Sequence, residues 1–459
     1  MLTYDLKKNP GLPLYEALYR CIRNDILSGV LAPGEKLPSK RALAENLEIS
    51  KITVETAYGQ LLAEGYIRAK EKVGYFVEPV ERTGKPPQSV QDTASQESEP
   101  KPDLVDLTGN SSGRFPFSVW SRLQREVMLD YGEKLLLPLA NQGCPELRQA
   151  IAAHLAQFRG MTVAPENMLI GAGTDFLYNL LIQLLGREKI YAVEDPGYGK
   201  IRKIYAAGGV KCISAAMDDR GVRPETLEDA QILHISPSHH FPTGLVTSLN
   251  RRLELLNWAS QRPDRWIIED DYDTEFRFNA HPTPAMQSLD RAGRVIYMNT
   301  FSKSLAPSFR ISYMVLPPAL MAQFREKLGF YSGTVPSFEQ YTLARFLERG
   351  YFEKHINRMR KYYKLLRNRV IGALENCPYA GRLTIMEQDA GLHFLVKVDT
   401  DTGDEELIRR CARAGIGVRA LSSYYQEAIP AEDRHCLVVN YTGLDDGAVE
   451  LLKEKLKGL

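Results

Sequence analysis

The chain has 459 residues, of which 44% are hydrophobic and 25% are charged, with 58 basic against 57 acidic side chains and a formal net charge of +1. This composition is that of an ordinary globular protein and excludes a mainly disordered chain. The balanced charge gives no bulk basicity from which a nucleic-acid partner could be argued, and the length predicts more than one domain.

The spacing of the cysteines and the length of the apolar runs indicate the cellular compartment. The six cysteines stand apart from one another, with no Cys-x-x-Cys pair and no histidine at the spacing of a zinc site. No stretch approaches the roughly 18 uninterrupted apolar residues of a membrane-spanning helix, and the first residues lack an apolar run of signal length. We therefore expect a cytoplasmic protein with reduced thiols, no metal site and no membrane partner.

The segment 1–78 predicts a winged helix-turn-helix. Apolar residues that recur every four positions indicate a first amphipathic helix, at Leu14, Leu18, Ile22 and Ile26. Ser39 and Ser50 are placed to cap a second and a third helix. Short strands at 66–69 and 75–77, around a turn, complete the predicted wing.

Three stretches of this segment carry a family resemblance. The motif GEKLPSKRALAENL, the pattern Ser-Lys-x-Thr-Val and the motif AYGQLLAEGYI resemble the GntR-type winged-helix domain across helix, turn and wing. The resemblance implies double-stranded operator DNA as a partner, contacted by Ser39, Lys40, Arg41, Lys51, Thr53, Tyr58, Lys70 and Lys72. The family usually has arginine where Lys51 stands, and because lysine cannot make a bidentate fork to guanine we interpret Lys51 as a phosphate contact. The alternative is a solvated face of a protein-interaction module.

The remaining chain divides by composition and pattern. Residues 79–103 are rich in Pro, Ser, Gln and Glu and predict a flexible linker. In 104–317, helical patterns alternate with short apolar runs, at 168–170, 190–193, 232–235, 266–268 and 295–297, which indicates an α/β fold with a mainly parallel sheet. Residues 318–459 predict a smaller α+β subdomain, with a long helical pattern over 338–369 and strands near 393–397 and 436–440.

Several residues after predicted strands point to one cofactor. Lys303 is bracketed by hydroxyl groups and followed by Arg310; a lysine amine can form a Schiff base with an aldehyde, while hydroxyls and a guanidinium hold a phosphate. Asp270 can keep a pyridine nitrogen protonated. The glycine-lined stretch 171–175 predicts an anion site at a helix N-terminus, and Tyr198 supplies a ring that can stack. Together they predict a pyridoxal 5'-phosphate site.

Residues 104–459 resemble the fold-type I aminotransferases, including the stretch NQGCPELRQAIAAHLAQFRG. With the winged helix in front, the chain is similar to the MocR subfamily of GntR-type regulators, which includes the GabR and PdxR types. This resemblance implies that Lys303 is the cofactor lysine, that Asp270 meets the pyridine nitrogen, that Tyr272 bonds the phenolic oxygen and that Tyr198 stacks on the ring. It also implies a homodimer, and a phosphate held by Gly173, Thr174, Thr300, Ser302 and Arg310.

The sequence departs from aminotransferases at two positions that bind substrate or cofactor. Phe241 stands where those enzymes usually have the asparagine that bonds the phenolic oxygen, and no arginine after Arg434 can anchor a substrate carboxylate. Lys200 stands where the GabR type has a second arginine.

These departures favour a transcriptional regulator over an enzyme. We predict a DNA-binding regulator that senses pyridoxal 5'-phosphate, or a small amine or amino acid, through a Schiff base at Lys303. The alternative is an active aminotransferase with an accessory DNA-binding domain, and a cofactor-storage or interaction protein is a third class.

Overall fold

The computed structural model describes residues 2–4, 6, 12–79, 104–109, 114–227, 229–278, 284–386 and 391–458. The chain forms two compact units, Met1–Glu99 and Pro100–Leu459. All but the first residue of the predicted linker 79–103 lies outside the described residues, so its flexibility stays a prediction.

The first unit is a three-helix domain with a hairpin. Its elements are α1 (Leu14–Ser28), α2 (Lys40–Leu47), α3 (Lys51–Ala63), β1 (Ile67–Lys70) and β2 (Gly74–Val77). The Ser39 hydroxyl accepts the Ala42 N–H at 3.2 Å and the Ser50 hydroxyl accepts the Thr53 N–H at 3.1 Å, so both predicted caps are present. The strands pair antiparallel, and this arrangement confirms the predicted winged helix.

Three of the four residues of the predicted apolar face of α1 are buried. Leu18, Ile22 and Ile26 are buried, whereas Leu14, the first residue of the helix, is 46% exposed. α1 ends at Gly29, whose φ of 81° is a conformation that glycine adopts without strain.

The second unit contains the remaining helices and strands. Its helices are α4 (Phe117–Tyr131), α5 (Pro145–Arg159), α6 (Thr174–Leu185), α7 (Gly199–Ala207), α8 (Leu249–Ser260), α9 (Met286–Leu289), α10 (Phe301–Ser304), α11 (Pro318–Leu328), α12 (Ser337–Glu348), α13 (Tyr351–Glu375), α14 (Asp404–Arg413) and α15 (Asp446–Lys455). Its strands are β3 (Val105–Asp106), β4 (Met168–Gly171), β5 (Ile190–Asp195), β6 (Lys211–Asp218), β7 (Gly221–Val222), β8 (Ile232–Ile235), β9 (Trp266–Asp270), β10 (Val295–Thr300), β11 (Ser312–Val315), β12 (Leu383–Met386), β13 (His393–Val398), β14 (Ile416–Gly417), β15 (Arg419–Ala420) and β16 (Cys436–Asn440).

An eight-stranded sheet organises the second unit. Its strand order is β4-β11-β10-β9-β8-β5-β6-β7. The five strands from β10 to β6 run parallel to one another, and β11 runs antiparallel to both of its neighbours. This confirms the predicted, mainly parallel α/β sheet. Helices cover both faces, since the consecutive residues Leu169 and Ile170 of β4 pack into two different apolar cores.

The region after residue 317 differs from the sequence prediction in two ways. α11 packs against the large sheet, where its Phe324 shares an apolar core with Met314 of β11, although it lies beyond the predicted boundary. The helical pattern over 338–369 forms two helices, because Gly350 adopts a φ of 70° between α12 and α13. A four-stranded sheet, ordered β12-β13-β16-β15, then forms the smaller α+β layer and confirms both predicted strands.

The described residues were compared with three expectations from the sequence, on cysteines, membrane-spanning helices and metal sites. All six cysteines are free. No described helix is both long and apolar enough to cross a membrane. The described parts of the chain also bring together no group of three or more acidic, cysteine and histidine side chains that could hold a metal ion.

Candidate functional site

The predicted DNA-contacting residues of α2 and α3 gather around the beginnings of the two helices. Lys40 Nζ lies 2.6 Å from a carboxylate oxygen of Glu55, so the pair ties the start of α2 to α3. Arg41 has a side chain that is 84% exposed and is paired with Glu45 on the same helix at 2.9 Å. Lys51, at the first position of α3, is also exposed. Arg41 and Lys51 are therefore accessible to a phosphate backbone, whereas Lys40 is only partly exposed.

Two hydroxyl groups of the predicted set are engaged within the domain. The Ser39 hydroxyl caps α2, and the Thr53 hydroxyl lies 2.8 Å from that of Ser50, the cap of α3. Lys70 and Lys72 are exposed at the wing. Lys72 has a φ of 58°, a left-handed conformation that closes the tight turn between β1 and β2.

Tyr58 corrects the sequence prediction. It is fully buried, donates its hydroxyl to the carbonyl oxygen of Pro38 at 3.0 Å and packs edge-on against Tyr75 with ring centroids 5.0 Å apart. Burial raises the pKa of its phenol, so the hydroxyl stays a donor. The side chain belongs to the core and is removed from the predicted DNA contacts.

The predicted cofactor residues of the second unit follow the carboxyl ends of neighbouring strands. Parallel pairing places Asp270 of β9 opposite Met298 of β10, two residues before Thr300. Thr300 in turn pairs with Ser312 of β11, and Ser312 pairs with Gly171 of β4. Because parallel strands end at one edge of the sheet, these residues share the edge where α/β proteins bind ligands.

Lys303 lies on the short helix α10, directly after β10. Its side chain is partly buried, and burial lowers the pKa of its amine, while the carboxylate of Asp273 acts in the opposite direction. The start of α10 is fixed by Thr300, whose hydroxyl accepts the Ser302 N–H at 3.1 Å and donates to the Ser302 hydroxyl at 3.0 Å. A lysine with a lowered pKa is a better nucleophile at neutral pH.

Asp270 is buried at the end of β9, where the Tyr178 hydroxyl is its side-chain donor and the His234 ring lies nearby. Tyr178 of α6 donates its hydroxyl to Oδ2 of Asp270, and His234 Nε2 lies 3.4 Å from the same oxygen. The other carboxylate oxygen, Oδ1, has no hydrogen-bond partner among the described residues. Burial and the carboxylate raise the pKa of Tyr178 well above its ordinary value, so Tyr178 remains a donor.

Tyr272 and Tyr198 lie in loops at the same edge. The Tyr272 hydroxyl lies 3.2 Å from His239 Nδ1, and the same nitrogen lies 2.8 Å from a carboxylate oxygen of Asp273. Tyr198 is half exposed, and its ring meets Phe241 edge-on with centroids 5.8 Å apart. Phe241 thus supplies apolar surface where an aminotransferase would have an amide.

The glycine-lined stretch contacts an arginine. Gly173 precedes α6 with a φ of 90°, and a Cβ atom at this position would overlap the guanidinium of Arg310. Arg310 itself has a φ of 46°. Its guanidinium lies 3.3 Å from the carboxylate of Asp175, which also forms an ion pair with Lys200 at 2.7 Å. The N-terminus of α6, beginning at Thr174, and a guanidinium therefore meet at one place, the Gly173–Arg310 corner, whose donors and positive charge suit an anion.

A buried ion pair lies behind the site. Arg159, the last residue of α5, meets Asp271 at 2.9 Å, with both side chains at most 1% exposed. Tyr297 donates to the same carboxylate at 2.8 Å, and Arg159 donates to the Ser238 hydroxyl at 3.0 Å. This network joins α5, the strand end after β9 and the loop after β8.

Sequence reasoning missed several of these partners. Tyr178 and Arg159 lie in helical patterns, where they look like ordinary packing positions, and His239 lies in the loop after β8. Asp273 lies two residues after Asp271 in an acidic run, and this position is the one sequence signal for a carboxylate near Lys303.

Two family models match the chain. Residues 14–77 match the family of bacterial regulatory proteins of the gntR type, and residues 104–456 match aminotransferase class I and II. Among solved structures, the kynurenine aminotransferase of Pyrococcus horikoshii is similar with 26% identity and a TM-score of 0.66, over 78% of this chain and 92% of that one.

Full-length relatives share both parts. The HTH-type transcriptional regulator YdeL of Bacillus subtilis is 38% identical over 99% of this chain and 98% of its own length. The probable rhizopine catabolism regulatory protein MocR of Rhizobium meliloti is 34% identical over 96% and 92%. The pyridoxine biosynthesis transcriptional regulator PdxR of Corynebacterium glutamicum is 30% identical over 88% and 87%. The chain has a winged helix followed by an aminotransferase fold, and its full-length relatives share both. It therefore belongs to the MocR subfamily of GntR-type transcriptional regulators.

Proposed function

We propose that this regulator binds operator DNA through its first unit, holds pyridoxal 5'-phosphate at Lys303, and changes its affinity for DNA when that site is occupied by the cofactor or by a small amine or amino acid. The observation that carries the proposal is the convergence of Lys303, Asp270 and the Gly173–Arg310 contact on one edge of the sheet. The similar protein PdxR is a regulator of pyridoxine biosynthesis, which supports a vitamin B6 compound as the signal.

The residues at this edge fit the cofactor chemically. The Oδ1 of the buried Asp270, which has no hydrogen-bond partner in the described part of the chain, could accept a hydrogen bond from a protonated ring nitrogen. The Arg310 guanidinium occupies the place that a Cβ atom at Gly173 would need, so it lies against the N-terminus of α6, where one phosphate could meet both. Lys303 supplies an amine whose pKa burial lowers. Nitrogen, phosphate and aldehyde thus each have a partner of suitable chemistry.

Each residue has a defined task in this proposal. Pyridoxal 5'-phosphate supplies an aldehyde that bonds a lysine amine and a ring that withdraws electrons. Asp270 would meet the ring nitrogen and favour its protonated form, Tyr272 would donate toward the phenolic oxygen, and Tyr198 would stack on the ring. The phosphate would be held by the group Gly173, Thr174, Thr300, Ser302 and Arg310.

The chain's own groups disfavour efficient transamination. No arginine follows Arg434, and Lys200, the residue at the second anchoring position, is paired with Asp175. Arg419 is exposed on β15 and bonds Tyr424. Without a guanidinium fork, a substrate carboxylate is not fixed, and the bond to be broken is not held perpendicular to the ring. The enzyme alternative is therefore the weaker one.

A homodimer is part of the proposal. The helix α4 and the turn after it expose five large apolar side chains, with exposed fractions from 47% to 77%, at Phe117, Met128, Leu129, Leu136 and Leu137. Clusters of this kind in a folded protein mark association surfaces. Leu129→Asp should shift the chain toward monomer in sedimentation velocity, whereas Leu365→Asp, at an exposed apolar residue of α13, serves as the control.

The test is DNA binding by the full chain at fixed salt, measured by anisotropy on the DNA upstream of its own gene. We expect pyridoxal 5'-phosphate to change the affinity of the wild type and to leave Lys303→Ala unresponsive. Lys203→Ala, an exposed lysine of α7, is the matched control and should respond like the wild type. Equal affinity in all states would reject the cofactor as the signal, and absence of DNA binding together with rapid turnover of amino acids would favour the enzyme.

A further inference from the structure

The exposed face of α3 has an unusual chemical character. Residues at helical spacing of three and four, Ile52, Glu55, Thr56 and Gly59, face solvent, while the opposite face of the helix is buried. Ile52 is 73% exposed, although isoleucine is among the side chains most often found inside proteins. It lies in the first turn of the helix, between Lys51 and Thr53. A large apolar side chain therefore projects from the end of α3 that enters a groove in helix-turn-helix domains.

The polar side chains around Ile52 are already engaged. The Thr56 hydroxyl donates to the carbonyl oxygen of Ile52 at 2.9 Å, which turns its polar end toward the helix backbone. The Thr53 hydroxyl is bonded to the cap Ser50 at 2.8 Å. Glu55 is an acceptor and is paired with Lys40. Apart from the paired Glu55 carboxylate, which is an acceptor, the face therefore offers apolar surface, and Ile52, Glu55, Thr56 and Gly59 leave no side-chain donor for a guanine edge.

The major groove contains one apolar group that such a surface can recognise. Each base pair shows hydrogen-bond donors and acceptors there, but only thymine presents a methyl group, at C5. We infer that Ile52 reads the C5 methyl of a thymine in the operator and is a specificity-determining residue of α3. This inference rests on the proposed binding of DNA by the first unit.

Neighbouring residues complete the arrangement. Lys51, adjacent to Ile52 at the helix start, supplies a phosphate contact that positions the helix without reading sequence. Gly59, two turns along the same face, has open space where a Cβ atom would lie, so the helix can approach the bases closely there. Burying one methyl group is worth about 0.8 kcal/mol, which corresponds to a roughly fourfold change in affinity.

The experiment removes the methyl group alone. A duplex selected from a random pool by binding to the full chain is resynthesised with single thymines replaced by deoxyuridine, which keeps the base pair and deletes only the C5 methyl. We expect the wild type to lose roughly three- to fivefold in affinity at one thymine per half-site. Ile52→Ala should bind the unmodified duplex more weakly by a similar factor and show no further loss with deoxyuridine at that position.

Two variants separate the inference from general effects. Val30→Ala, at another apolar residue of the same unit that is 70% exposed, should keep both the wild-type affinity and the deoxyuridine effect. Lys51→Ala should weaken binding yet keep the deoxyuridine effect. Equal losses for wild type and Ile52→Ala at every thymine would overturn the inference while leaving DNA binding intact. Failure to select any duplex would overturn the proposed DNA binding itself, and the inference with it.

Discussion

Tyr178 of α6 donates its hydroxyl hydrogen to Oδ2 of Asp270, and Oδ1 of the same carboxylate has no hydrogen-bond partner among the described residues. One oxygen is thus oriented from within the fold, while the other is available to a ligand. Because the carboxylate is buried at a strand end, its direction depends on few contacts. The tyrosine acts on the site through the aspartate and is a positioning residue.

Tyr178→Phe should weaken the binding of pyridoxal 5'-phosphate. The substitution leaves the ring and its packing in place but removes the donor, so Asp270 loses part of its orientation at a cost of about 1 kcal/mol, or a roughly fivefold rise in Kd. The pH dependence of the visible absorption of the bound cofactor should also differ from that of the wild type. Tyr191→Phe, at a second buried tyrosine of the same core, is the control. Unchanged affinity and spectrum would show that Asp270 is held by other contacts.

Removing one partner of the ion pair between Arg159 and Asp271 should lower the unfolding free energy strongly. Arg159→Met leaves a buried carboxylate without its cation, and such losses typically cost about 3–5 kcal/mol in unfolding free energy. Arg159→Met combined with Asp271→Leu should cost less than the two single changes together. Arg220→Met, which breaks an exposed pair with Glu254, should cost about 1 kcal/mol or less. Urea denaturation of the full chain measures all four, and equal losses for the buried and exposed pairs would contradict the expectation.

Much of the fold was predictable because its signals are local. Short apolar runs bounded by loops predicted the strands of the large sheet, and Ser39 and Ser50 predicted two helix starts. The break at Gly350 was hidden, since the apolar pattern continues across it and only its φ of 70° separates the helices. A periodic pattern records which residues face a core, and it does not record where the helix axis changes direction.

The candidate site was predictable only where a motif carried it. Lys303, Asp270 and Gly173 follow strands, where polar residues stand out from the apolar background. Tyr178 and Arg159 lie within helices, and their partners are distant in sequence, so nothing local distinguishes them from packing residues. Tyr58 shows the reverse error, because a residue inside a DNA-binding motif was taken for a contact although its hydroxyl serves the carbonyl of Pro38.

The stability of the chain should depend on pH through Glu275. Burial raises the pKa of this carboxyl to about 8, with Asp271 and Asp273 acting in the same direction, whereas an unfolded glutamate titrates near about 4.3. Between these values the folded state keeps a proton that the unfolded state releases. The unfolding free energy should therefore be highest at the acid end of this window and fall as the pH rises toward about 8.

The variant Glu275→Gln tests this dependence, because it stays neutral at every pH. Its unfolding free energy should decline less than that of the wild type between pH values of about 5 and 8 in urea titrations. Glu326→Gln, at an exposed residue of α11, should follow the wild-type profile. Parallel profiles for the wild type and Glu275→Gln would mean that the buried carboxyl does not hold the extra proton.

Gly173→Ala should disrupt the Gly173–Arg310 corner. The added Cβ meets the Arg310 guanidinium, and the φ of 90° is one that alanine adopts only with strain, so Arg310 must move away from the N-terminus of α6. Affinity for pyridoxal 5'-phosphate and for inorganic phosphate should fall together by at least tenfold, since both depend on the same donors. Gly199→Ala is a matched control, because this glycine also begins a helix but has open space around its Cβ position. Calorimetric titration with each ligand measures the effect; if Gly173→Ala lost the cofactor but kept phosphate affinity, the phosphate group of the cofactor would have to be bound elsewhere.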